Sequence, residues 1–132
     1  APVVASVIDV AYVAMLRKTA LKARVKKFIQ FYTARFQDVA PPAERGLLVT
    51  NLPYGDRIGS SEGGIRQLYA EVGDTLKQKF SGWQAVILAA AASPYKAIGL
   101  KPSRRIALMN GSIPCKLLFF ELYSGSRRAN LP

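Results

Sequence analysis

Asn51-Leu52-Pro53-Tyr54 puts an amide, a stiffened backbone and an aromatic ring directly after the apolar run Leu47–Val49. Pro53 fixes its own φ and biases Leu52 towards an extended conformation, which can turn the Leu52 carbonyl outward. The Asn51 amide oxygen and that carbonyl are then two acceptors facing one point. A planar NH2 group has two hydrogens to offer such a pair. Tyr54 adds a ring on which a planar base can stack. Two acceptors and a stacking face make a holder for an exocyclic amine.

Other chemistries are poorly supplied. The chain has no histidine and one cysteine, Cys115, so zinc sites and Ser-His or Cys-His catalysis are nearly excluded and no metal is expected. A lone cysteine also rules out an internal disulfide and fits a reducing compartment. Cys115 reads as a buried strand residue, since nothing near it in sequence would activate a thiolate.

The amine holder needs a strand end to sit on, and the pattern provides one. Pro2–Ile8 is a β-branched run that reads as a strand, and Asp9 stands where an N-cap would precede a helix over Val10–Val25. Phe28–Thr33 alternates as a second strand, and Leu47–Asn51 is a third. Ile65, Leu68, Tyr69, Val72, Leu76 and Phe80 recur at helical spacing, and Ser81-Gly82 ends that helix. Trp83–Ala89 is a fourth strand, followed by a helical turn over Pro94–Ile98 closed by Gly99. Arg105–Leu122 reads as two strands joined at Asn110-Gly111, a strong hairpin signal. Trp83 and the Phe119-Phe120 pair read as core. The order β-α-β-β-α-β plus a hairpin predicts a single α/β domain, mostly parallel with an antiparallel edge. In such sheets ligands bind beyond the carboxyl ends of the strands, where Asn51 falls.

Charge is the loudest compositional signal. Nineteen Lys and Arg against eight Asp and Glu give a net charge of +11. Such an excess favours a polyanionic partner, because each neutralised phosphate releases counterions. Much of it is local: Arg17–Lys27 carries six basic residues and no acid, and Arg104-Arg105 and Arg127-Arg128 form pairs. Lys22 and Lys26 in that segment, with Arg57, Arg104 and Arg105, are the candidate nucleic-acid contacts, RNA contacts if the resemblance given below holds; a solvated surface is the alternative for the basic segment. No apolar run reaches the roughly 20 residues of a membrane span. The start APVVASVIDV lacks the basic region of a signal peptide, so a cytoplasmic location without membrane contact is expected.

NLPY resembles the (Asn/Asp/Ser)-x-Pro-(Tyr/Phe) motif of S-adenosylmethionine-dependent amino-methyltransferases. TNLPYGDRIG, the following helix IRQLYAEVGDTLKQKFSGWQAVIL and the ending KPSRRIALMNGSIPCKLLFFELYSG are together similar to the ribosomal large-subunit RNA guanine-N2 methyltransferases. The resemblance covers Gly46–Gly125 well and Pro2–Ala43 more loosely. It implies a Rossmann-like class I methyltransferase fold, S-adenosylmethionine as cofactor, and methylation of a guanine N2 in 23S ribosomal RNA. By that motif Asn51 and the Leu52 carbonyl bind the amine, Pro53 shapes the loop and Tyr54 stacks on the base. Asp9, Asp38 and Asn51 are the residues it assigns to the cofactor.

The departures lie on the cofactor side. Family members begin with a strand and a glycine-rich loop, and this sequence has no GxGxG near its start, so the first strand of the domain is expected to be lacking. Where the family usually carries an acid for the ribose, Val7 stands, with Asp9 two residues later. Near the adenine position falls Arg35, with Asp38 three residues on. Asp9 therefore has two readings, helix cap or ribose ligand, and Asp38 likewise is a turn residue or an adenine neighbour. Asp56 and Arg57 have two readings as well, RNA contact or loop structure. Two functional alternatives stay open: the same chemistry on adenine N6 or a protein glutamine, and an RNA-binding module that kept the fold and lost the cofactor.

Overall fold

The computed structural model describes residues 3–53 and 62–123. Tyr54 and Arg57, two of the sequence-predicted site residues, lie outside the described residues. The chain divides into two compact units, Ala1–Pro42 and Ala43–Pro132.

The first unit is a β-α-β element. Strand β1 (Val3–Val7) and strand β2 (Ile29–Thr33) pair in parallel, Val3 opposite Ile29 and Val7 opposite Thr33. Helix α1 (Val10–Lys22) connects them. Asp9 is its N-cap, with one carboxylate oxygen accepting from the Ala11 amide at 2.8 Å. The apolar spacing predicts a helix to Val25, yet α1 stops three residues earlier. Arg24 adopts φ 61°, and the Val25 amide reaches back to the Ala20 carbonyl at 2.9 Å, a left-handed helix stop usually made by glycine. Phe28, predicted to open the second strand, instead closes a short 3-10 turn over Lys26–Phe28. Within α1, Val13 and Ala20 are buried, whereas Leu16 is 39% exposed.

The second unit carries a four-stranded sheet in the order β3-β4-β6-β5. Its strands are β3 (Leu47–Asn51), β4 (Gln84–Ala90), β5 (Arg104–Asn110) and β6 (Ile113–Glu121). β3 and β4 are parallel, while β6 runs antiparallel to both β4 and β5. The sheets together hold two parallel and two antiparallel pairings, so the antiparallel hairpin weighs more than a mostly parallel sheet suggests. Gly111 has φ 62° at the turn between β5 and β6, a conformation that Asn-Gly turns favour.

Helix α2 (Glu62–Lys79) belongs to this unit. Ile65, Tyr69, Val72, Leu76 and Phe80 are at most 3% exposed. Burying five such side chains contributes on the order of 10 kcal/mol of transfer free energy, so packing rather than helix propensity holds α2. Alternation puts Ala85, Ile87, Ala89, Leu118 and Phe120 on one sheet face, and all five are buried. Gly73 marks the tightest approach: a Cβ there would stand 1.7 Å from the Ile98 carbonyl oxygen. Ile98 ends the 3-10 turn Tyr95–Ile98, which Gly99 closes at φ 73°, as its position in the sequence predicts. Trp83, just before β4, donates from Nε1 to the Ala43 carbonyl at 3.0 Å and meets Phe80 edge to face. Phe120 is core with Trp83, but Phe119 points to the opposite face and is only half-buried.

Candidate active site

Asn51 is the last residue of β3 and pairs with Leu88, at the carboxyl end of the only parallel strand pair in the four-stranded sheet. Its side chain is exposed and makes no hydrogen bond among the described residues. The amide is therefore available to a ligand at the rim where α/β sheets bind them.

The backbone after Asn51 is held from three directions. The Leu52 amide donates to the Leu88 carbonyl at 3.1 Å, which extends the ladder one residue past the strand. The Leu52 side chain is 6% exposed and anchors in the core. The Pro53 carbonyl accepts a hydrogen bond from the Tyr69 hydroxyl at 2.5 Å. Tyr69 comes from α2 and is fully buried. Helical spacing marked it only as a core ring; its hydroxyl does something spacing cannot report, tying the α2 core to the loop that carries the amide. The result is a short backbone segment fixed at Leu52 and Pro53 directly after the exposed Asn51 amide.

In the first unit, Asp9 and Asp38 both follow the carboxyl ends of their strands. Asp9 comes two residues after β1, and Asp38 lies in the 3-10 turn Phe36–Asp38 after β2. The Asp38 carboxylate pairs with Arg35 at 3.2 Å; both side chains are more than half exposed, so the pair adds little stability. Lys22 lies in the last turn of α1 and Lys26 in the 3-10 turn before β2. In this unit Arg17 also stands over the Phe31 ring at 5.8 Å.

Arg104 and Arg105, adjacent in sequence, are not one patch. They are consecutive on β5, so their side chains leave opposite faces of the sheet. Arg104 lies over the Phe119 ring at 5.9 Å. Arg105 shares its face with Leu118 and Lys116, the face on which Ala85, Ile87, Leu118 and Phe120 are buried. Among the described residues no group of three or more His, Cys, Asp or Glu is placed to hold a metal, and no helix is long and apolar enough to cross a membrane.

The model of the RMKL-like methyltransferase domain, UPF0020, matches residues 1–118. The chain belongs to that family. A ribosomal RNA large subunit methyltransferase K/L of Shewanella baltica is 36% identical over 126 residues, 95% of this chain and 18% of that protein. The crystal structure of SMU.472, described as "a putative methyltransferase complexed with SAH", aligns over 94% of this chain and 32% of that one. Its TM-score is 0.81 at 26% identity. A "predicted N6-adenine-specific DNA methylase" from Listeria monocytogenes aligns over 93% of this chain and 30% of that one, with TM-score 0.73 and 25% identity. These likenesses show the Rossmann-like methyltransferase fold that NLPY and its surroundings imply. The chain spans 24% of the length of one curated relative it matches and 17% of another.

Proposed function

We propose that this RMKL-like domain transfers a methyl group from S-adenosylmethionine to the exocyclic N2 amine of a guanine in 23S ribosomal RNA. The observation that carries the reading is the free Asn51 amide at the strand rim, followed by a backbone pinned through Leu52 and the Tyr69–Pro53 hydrogen bond. The ribosomal relative and the net charge of +11 support RNA rather than a protein glutamine as the substrate.

The residues present suit the adenosine part of the cofactor. Two exposed carboxylates, Asp9 and Asp38, follow the ends of parallel strands, and acidic acceptors match ribose hydroxyls and an adenine amine. The Asp9 cap uses Oδ1, which leaves Oδ2 for a ribose hydroxyl. When bound, S-adenosylmethionine supplies an electrophilic methyl on a sulfonium sulfur.

The protein's part is positioning. The Asn51 oxygen and the Leu52 carbonyl accept the two N–H bonds of the guanine amine and orient its lone pair towards the methyl. Once the cofactor had supplied its methyl and left as the neutral thioether, the amine nitrogen would carry a positive charge. The same two acceptors stabilise that charge, and one N–H proton then passes to solvent. Tyr54 would stack on the guanine. No covalent enzyme intermediate is needed, and orientation with hydrogen bonding supplies most of the acceleration.

The Listeria neighbour's description favours a second reading, adenine N6, because the holder accepts any planar amine. Transfer of labelled methyl from S-adenosylmethionine tests the general reading, with ribosomal RNA, duplex DNA and ribosomal protein offered in parallel. Label entering RNA is expected. Label entering DNA or protein alone contradicts RNA as substrate. No transfer, together with RNA binding and no heat of S-adenosylhomocysteine binding in calorimetry, indicates the non-catalytic RNA-binding module instead.

A further inference from the structure

A pocket of about 330 Å3 opens beside the 3-10 turn Tyr95–Ile98. Its floor is apolar: Leu118 and Phe120 are 1% and 3% exposed. Its rim carries Lys96, Lys101 and Arg105. Lys116 stands beside it, and the Lys77 ammonium is close enough to lie 3.3 Å from a Cβ built on the lining residue Gly99. Among the described residues none of these five cations forms an ion pair. Five like charges around one concavity repel one another, and a bound anion relieves that repulsion.

One polar group inside the pocket is already oriented. The Lys116 ammonium donates to the Tyr95 hydroxyl oxygen at 2.7 Å and lies 4.9 Å from the centre of its ring. With that oxygen accepting from Lys116, the phenol's own proton is free to donate into the pocket. The Lys116 hydrogen bond, with the charges of Lys116, Lys96 and Arg105, also holds the Tyr95 phenol below its usual pKa, although desolvation opposes the shift. A phenol made more acidic by its neighbours is a stronger donor to an anionic oxygen.

We infer that this pocket is a nucleotide subsite for the RNA strand: Lys101, Arg105 and the Tyr95 hydroxyl take a backbone phosphate, and the half-buried Leu100 and Pro102 of its lining take the adjoining sugar or base. The inference rests on RNA being the substrate. Arg105 lies on β5, three strands across the sheet from β3, or roughly 14 Å at ordinary strand spacing. By the pairing register Arg105 lies level with Leu118, Ile87 and Thr50, so its side chain leaves the face opposite that of Asn51, and a strand that occupies both would pass round the carboxyl ends of the strands.

The test compares two arginines adjacent in sequence. Fluorescence anisotropy follows the binding of labelled oligouridylate from about 50 to about 200 mM salt. The proteins are the unmodified chain, a Lys101→Gln/Arg105→Gln variant, and Arg104→Gln, which removes a charge from the other face of β5. All three substituted side chains are exposed, and melting curves check that each variant folds. The double variant is expected to lower the slope of log affinity against log salt by about 1.4, at about 0.7 per lost phosphate contact, and to weaken binding at least tenfold at low salt. Arg104→Gln is expected to change the slope by less than half as much. If the unmodified chain binds and the double variant behaves like Arg104→Gln, the subsite is overturned while the RNA reading stands. If the unmodified chain does not bind at all, both are overturned.

Discussion

Tyr69→Phe isolates the contact on which the holder's rigidity depends. The substitution removes one oxygen and leaves the ring in place, so no large cavity forms. What is lost is the donor to the Pro53 carbonyl, a 2.5 Å bond from a fully buried residue to a half-buried one. A neutral hydrogen bond contributes about 1 kcal/mol net, and a partly buried carbonyl left without its donor raises the cost to about 2 kcal/mol. For a unit of this size that is a fall in Tm of roughly 5–15 °C. The effect on rate has a separate origin. If the bond biases the loop towards its working position by about 1.4 kcal/mol, its loss lowers kcat about tenfold. Single-turnover methyl transfer well below the variant's Tm reads this directly. The expected pattern is a lower kcat with the KM for RNA changed less than twofold, since the subsites that bind the strand are untouched. A purely structural Tyr69 would lower Tm and leave kcat intact at that temperature. Unchanged kcat in a folded Tyr69→Phe protein would refute the reasoning.

Other expectations follow from single contacts. Gly73→Ala drives a methyl into the Ile98 carbonyl and should cost roughly 3 kcal/mol or more, seen as a fall in denaturation midpoint with unchanged m-value. Arg24→Gly relieves a left-handed backbone at the end of α1 and should stabilise the first unit by about 0.5–1 kcal/mol in urea unfolding. Asp9→Ala removes the cap of α1 and should cost about 1 kcal/mol; a parallel loss of S-adenosylhomocysteine affinity, beyond what the milder Asp9→Ser shows, would mark the carboxylate as a ribose ligand. Lys116→Met should move the lowered Tyr95 phenol back up towards its ordinary value in ultraviolet titration, because the largest cause of its shift is gone.

How much was legible in the sequence depended on how local the signal was. Leu47–Asn51 was read with its full bounds because an apolar run stopped by an amide and a proline is a local pattern. The α2 core, the Asn110-Gly111 turn and the Gly99 stop were also local, each marked by spacing or by a residue type that tolerates a left-handed backbone. The end of α1 was misjudged because Arg24 does a glycine's work without a glycine's signal. At the site, the position of Asn51 at the end of its strand was legible, but the support of the following backbone was not. The Tyr69 hydroxyl meets a carbonyl sixteen residues earlier, and only the packing of α2 against the sheet brings them together. Arg104 and Arg105 show another non-local effect: they are neighbours in the chain, and strand alternation sends their side chains to opposite faces. The subsite around Tyr95 draws its cations from α2, the 3-10 turn, the approach to β5 and β6, so no single window of sequence contains it.

The central claim is that Asn51 helps hold a guanine amine for methylation. It is tested most directly by digesting 23S ribosomal RNA to nucleosides after incubation with S-adenosylmethionine and either the unmodified protein or Asn51→Ala. Mass spectrometry should find N2-methylguanosine with the first, and at least a hundredfold less with the second, the scale of losing one preorganised hydrogen-bond partner. RNA binding at fixed salt should be unchanged between them. N6-methyladenosine in place of N2-methylguanosine, or full activity in Asn51→Ala, would contradict the account.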